Sequence, residues 1–240
     1  MKKMMRLAAA ALALVLLAGA LSGCTKNEEK KLHAKAAEYV KALQNNKAVS
    51  DTFTLSDARV DFSDKMSSVP FAVSSKAYGD SFTVWVSRSE GNAATDDYYC
   101  LYLRQEAEDK LQALVTEVLG EGIIKVSVDF EKVENAALSG HAAGSLEELM
   151  QIAAEKVGLE SILIVDLVSA ELINLGTEEV DRLLLALQEK GFYCTLYPYV
   201  SDAVWFEVRK DGFWMNKQTG ADGGAYMQRD KYTPAAPAGN

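Results

Sequence analysis

Histidine, cysteine and proline are scarce in this chain, at two, three and four residues among 240. With only His33 and His141, there is little material for a histidine-based metal centre. Cys100 and Cys194 are separated by 93 residues with no histidine beside either, which does not resemble a zinc framework. A P-loop, a dinucleotide-binding glycine fingerprint and a nucleophile elbow are all missing. No apolar run reaches the roughly 20 residues that a membrane-spanning helix needs. A basic surplus is missing as well, since 25 basic residues face 34 acidic ones, a net charge of −9. Lys2, Lys3 and Arg6 are the only charges in the first 23 residues, so the remaining 217 carry 22 basic and 34 acidic side chains, or −12. A body this acidic does not coat polyanions, and nucleic acid is not an expected partner.

What is present begins at the amino terminus. Lys2, Lys3 and Arg6 precede an apolar stretch of 15 residues, Leu7 to Leu21, broken only by Gly19. The length and the positive flank are those of an export signal. The stretch closes with Leu21-Ser22-Gly23-Cys24, which resembles the lipobox of bacterial lipoproteins. This resemblance covers residues 1–24 only. It implies cleavage before Cys24, a diacylglyceryl group on the Cys24 sulfur and acylation (palmitate or a similar chain) of the new amino terminus. Two or three acyl chains hold a protein on a membrane where one does not. The expected location is therefore extracytoplasmic, on the cell membrane or, as Thr25 would direct in a two-membrane envelope, the outer membrane. Residues 24–27 would be a short tether.

The body, 28–215, reads as α+β: helices packed on a mixed sheet, β-β-α-β followed by α-β-α-β-β. Leu32, Ala36, Tyr39, Val40 and Leu43 recur at helical spacing between Glu28 and Gln44. Residues 47–80, with Pro70, yield no clear element. From Ser81 the pattern predicts strands at 81–87, 98–103 and 124–130, with a helix over 107–119 ended by Gly120. Asn135–Ser145, with Gly140 and Gly144, reads as an internal boundary that would divide the body into subdomains 28–135 and 145–215, possible ferredoxin-like units. Ser145 and Glu148 have capping-box spacing at the start of a helix that Gly158 ends. Ile162–Val168 is apolar enough for a strand covered on both faces. A helix from Thr177, strands at 192–197 and 203–209, and a turn centred on Asp211-Gly212 complete the body. Residues 216–240 read as a flexible tail.

The candidate site residues are few. In an exported chain, Cys100 and Cys194 are either a disulfide or two buried thiols. Asp166 interrupts an apolar run and must be paired, hydrogen-bonded or near water at the strand's end. His141 has Ser139 and Ser145 near in sequence, which is not the geometry of a triad. Trp85, Trp205 and Tyr98–Tyr102 are either core or a carbohydrate- or peptide-binding surface. No catalytic residue, metal or cofactor is assigned, and the reading leans against an enzyme. The function expected is a lipid-anchored, non-catalytic binding module for an envelope protein or small ligand. The alternatives are a small solute-binding lipoprotein of a transporter, which would show a cleft between 81–135 and 145–215, or an envelope hydrolase using Asp166 or His141.

Overall fold

In a computed structural model, the described residues are 27–56, 67–89, 91–121, 124–169, 175–198, 204–219 and 226–235. The export leader 1–23, Cys24 and the tether up to residue 26 lie outside them, as do 57–66 of the stretch that yielded no element. No helix among the described residues is long and apolar enough to cross a membrane. The chain divides after Thr95 into two compact units. The architecture is α+β, as read from the sequence.

Unit 1 holds helix α1 (27–44) and a four-stranded sheet in the order β1-β2-β3-β4: β1 (Phe53–Leu55), β2 (Ser68–Ser75), β3 (Ser81–Ser87) and β4 (Ala94–Asp96). Leu32, Ala36, Val40 and Leu43 are buried on one stripe of α1, the i, i+4 spacing that places side chains on one face. His33, also on α1, meets the Phe71 ring edge-on at 5.8 Å, which sets α1 on the sheet face that carries Val69, Phe71, Val73, Phe82, Val84 and Val86. Pro70 lies within β2, a strand that the residue pattern of 47–80 does not announce. Its missing N–H is tolerated because β1 pairs with β2 only at residues 73–75.

Unit 2 holds α2 (Tyr99–Tyr102), α3 (Arg104–Leu119), β5 (Ile124–Phe130), α4 (Leu146–Ile152) running into a π-helical turn (Ala153–Val157), β6 (Leu163–Ser169), α5 (Thr177–Glu189), β7 (Cys194–Tyr197), β8 (Val204–Arg209), β9 (Gly212–Thr219) and β10 (Tyr226–Tyr232). The sheet order is β10-β9-β8-β7-β6-β5, so space repeats chain order. Every pairing is antiparallel except β6–β7, which is parallel and bridged by α5. This sequential order differs from the ferredoxin-like arrangement, whose strands interleave.

Leu111, Leu114 and Val115 of α3, Leu146 and Leu149 of α4, and Val180, Leu183, Leu184 and Leu187 of α5 form one core with Val128, Phe130, Leu163, Val165, Leu196, Phe206, Val208 and Phe213 of the sheet. Those strand residues share one parity, so the helices cover one face. Truncating one such leucine to alanine typically costs about 2–5 kcal/mol. The caps follow the sequence: Ser145 Oγ accepts from Glu148 N–H at 3.2 Å, and Gly158 ends the π turn at φ +77°.

Several expectations are corrected. The stretch 98–103 is not a strand but the turn of helix Tyr99–Tyr102 with its flanking caps, because Asp96 Oδ1 accepts the Tyr98 N–H at 2.8 Å and starts a turn at that point. The 135–145 segment is not a boundary between subdomains. Asp96 Oδ2 accepts Gly140 N–H at 2.8 Å, Ser139 Oγ accepts Asp96 N–H at 3.0 Å, and β5 pairs directly with β6 across the loop. The tail from 216 is not loose over its described length, since β9 and β10 pair over seven residues. The β8–β9 turn falls one residue early. Arg209 pairs with Gly212 around Lys210-Asp211, neither of which takes positive φ, while Gly212 does at +144°.

Candidate functional site

Among the described residues of unit 2, no helix packs on the opposite face of its sheet. On it, by strand parity, stand Ile164, Asp166 and Val168 of β6, Thr195 and Tyr197 of β7, Trp205, Glu207 and Arg209 of β8, Trp214 and Asn216 of β9, and Arg229 and Lys231 of β10. Val168 is 51 % exposed and Met227, on the same face, 69 %. Ile162–Val168 is therefore a strand covered on one face only, which corrects the two-sided reading. Asp166 is not at the strand's end either. It sits mid-strand, half-buried, in register between Ser127 and Tyr197, and an apolar run tolerates a carboxylate there because the helix core lies on the other side.

Glu207 is the hub of this face. Its Oε2 accepts from Arg209 Nε at 3.0 Å, Arg209 Nη2 at 2.5 Å and Arg229 Nη2 at 2.7 Å, and its Oε1 accepts from Asn216 Nδ2 at 3.0 Å. Both guanidinium groups then stack on Trp214, at 5.2 and 5.4 Å from the ring centroid, within cation–π range. Further along β8, Trp205 stacks with Tyr197 at 5.9 Å. A polar hollow of about 420 Å³ adjoins the hub, lined among others by Glu131, Glu160, Ser161, Thr195, Glu207 and Arg209. With four bonds accepted, Glu207 acts as a brace that holds Trp214 and two arginines in place, not as a general base.

The other predicted residues do not converge. His141 stacks flat on Tyr102 at 4.2 Å and adopts φ +64° in the loop that Asp96 anchors. Ser139 Oγ is spent on Asp96 and on Asn135 O, and Ser145 caps α4, so neither serves His141 as a nucleophile. Neither Asp166 nor His141 lines the polar hollow, a second one of about 270 Å³ beside Lys190, or a third in unit 1 around Asp51. Among the described residues, no group of three His, Cys, Asp or Glu side chains is placed to hold a metal ion.

Cys100 and Cys194 are both buried and free, so the disulfide considered from the sequence is not formed. Cys100 lies on α2, not on a strand beside β7. Burial pushes the Cys194 thiol up to about 12, and burial followed by the charge of Asp97 pushes Cys100 upward as well. Tyr99, buried next to Cys100, also has its phenol pKa raised. It donates to Glu131 O at 2.8 Å and accepts from Val133 N–H at 3.3 Å. The Tyr98–Tyr102 run is thus core and bracing, not a ligand surface. Trp85 stands in unit 1, half-buried on β3.

Sequence reasoning missed two arrangements. One is the Asp96 clamp, for which Asp96-Asp97 before Tyr98 was the available signal. The other is the Glu207–arginine–Trp214 cluster, whose members come from three strands. No protein-family model matches this chain, and no curated protein and no solved structure matches it.

Proposed function

We propose that this is a lipid-anchored extracytoplasmic bacterial protein whose second unit is a non-catalytic binding module for an envelope protein or small ligand. The anchor rests on the Leu21–Cys24 lipobox resemblance. The observation that carries the binding reading is the sheet face on which no described helix of unit 2 packs, where stacking and cation–π contacts orient Tyr197, Trp205 and Trp214. All three are half-buried, and aromatic side chains with one end apolar and the other near water favour interfaces. By parity, Lys125, Arg209, Arg229 and Lys231 share that face with Asp129, Asp166 and Glu207, so it is not acidic although the body is.

The transporter reading has less support, because residues 124–130 and 163–169, which it would assign to two lobes, are hydrogen-bonded neighbours in one sheet. The hydrolase reading has less support, because neither Asp166 nor His141 lines the hollows described. Two experiments test the proposal. Cys24→Ala should abolish incorporation of labelled fatty acid and release the protein from membranes; a mutant that stays bound, with an unlabelled wild type, defeats the anchor. A photo-crosslinking residue at Val168 or Trp205 should give a discrete adduct in intact cells that Glu117 on α3 does not. Equal labelling from all three positions, or none, defeats the binding face.

A further inference from the structure

The loop after the π turn borders a second hollow of about 270 Å³, which shares Leu159 and Glu160 with the polar one. Its walls are Met150, Leu159, Ile162 and Tyr193, and the small side chains of Ala153 and Ala154 leave the space open. Both alanines belong to the π turn, which admits an extra residue to the helical circuit and is a local distortion enriched at functional sites. The volume lies just under the range of about 300–1,000 Å³ for drug-sized ligands, so the occupant must be small.

Three charged residues stand at its rim: Glu147, Glu160 and Lys190. The two carboxylates are already engaged, Glu147 by Lys110 and Glu160 by Arg209 at 3.9 Å. Lys190 follows the last turn of α5, and its ammonium has no ion-pair partner among the described residues. The charge left to be met at the mouth of an apolar hollow is therefore positive.

We propose that this hollow binds a small amphiphilic anion, an aromatic or short-chain carboxylate. Its apolar part sits against Met150, Leu159, Ile162 and Tyr193, and its carboxylate pairs with Lys190. The site borders the polar hollow through Leu159 and Glu160, but the proposal stands or falls without the binding reading of the sheet face. The test is ligand-observed saturation-transfer NMR on the full chain in nanodiscs, with empty nanodiscs subtracted, using phenylbutyrate, phenylbutanol and phenylbutylamine. Phenylbutyrate should bind saturably and about tenfold more tightly than the alcohol or the amine, one charge-assisted contact's worth. Lys190→Gln should bring the acid down to the alcohol's affinity. Ala154→Phe, at an exposed position, should remove binding of all three while the melting transition is kept. Absence of saturable binding, a preference for the amine, equal affinity for all three probes, or indifference to Lys190→Gln overturns the proposal.

Discussion

The Tyr232 hydroxyl donates to Asp181 Oδ1 at 2.6 Å, tying the end of the last strand to the buried side of α5. The other oxygen of the same carboxylate accepts the Ala235 N–H at 3.0 Å. One buried aspartate thus fastens the chain on both sides of Thr233 and Pro234. Tyr232→Phe should cost about 1.5–3 kcal/mol, the worth of a hydrogen bond to a charged group. Asp181→Ala should cost more and speed amide exchange at Ala235. Unchanged exchange there in Asp181→Ala would show that the fastening is incidental.

The Asp96 clamp is a second buried carboxylate with structural work. It holds the first turn of α2 through Tyr98 N–H and the glycine loop through Gly140 N–H. Asp96→Ala strips the acceptor from two backbone donors and should destabilise unit 2 by about 2–4 kcal/mol. Chemical denaturation with amide exchange at Gly140 measures both effects.

The free thiols carry a pH prediction. Burial pushes the Cys194 thiol from the ordinary 9.0 up to about 12, and Cys100 is raised as well. A raised thiol pKa stabilises the fold fully below about pH 9, and that contribution is lost as the pH climbs toward 12. Alkylating reagents should leave both thiols untouched at neutral pH, because the thiolate is the nucleophile. Labelling should appear only with denaturant or in strong alkali. Rapid labelling of either residue in native protein at pH 8 would contradict the burial described.

Lys110 joins α3 to α4 by bonding Glu147 and, at 2.9 Å, Glu106 on its own helix. Those two carboxylates hold the ammonium pKa above its usual value, and Lys110 in turn holds Glu147 below its own. The groups are largely solvent-exposed, so screening leaves little net energy. Lys110→Met should change stability by no more than about 1 kcal/mol. Glu147's share is present above the ordinary carboxylate pKa and is lost as the pH falls through the lowered one.

The outer edge of β5 is occupied by helix side chains. Gln112 accepts Val126 N–H at 2.9 Å and donates to Ile124 O at 3.1 Å, while Glu108 accepts Val128 N–H at 3.3 Å. Unpaired edge groups invite strand addition from another molecule, and here two side chains occupy them. Gln112→Leu should keep the helix but expose that edge, raising concentration-dependent self-association in sedimentation velocity.

Local patterns carried the helices well. The spacing of Leu146, Leu149 and Ala153, the Ser145 cap and the Gly158 stop were all readable, because each depends on neighbours within one or two turns. The Tyr98–Leu103 error had the opposite origin. Aromatic density favoured a strand, but a buried carboxylate two residues upstream decided for a helix. β2 was hidden by Pro70, whose tolerance depends on how short β1 is. β10 was hidden by its polar composition, which an edge strand can afford. The candidate site was the least legible part. Glu207, Arg229 and Trp214 meet only through strand register, and no spacing along the chain encodes register between β8, β9 and β10.

The sequential order of the unit 2 sheet bears on how the chain is assembled in time. During synthesis the amino-terminal part emerges first, and domains form as units from that end. β5 would appear with α3 already available to cover its open side, and each later strand would find its one earlier neighbour in place. No strand has to be inserted between two others. The sheet can therefore grow in one direction, like a zip closing, with its exposed edge always the newest strand.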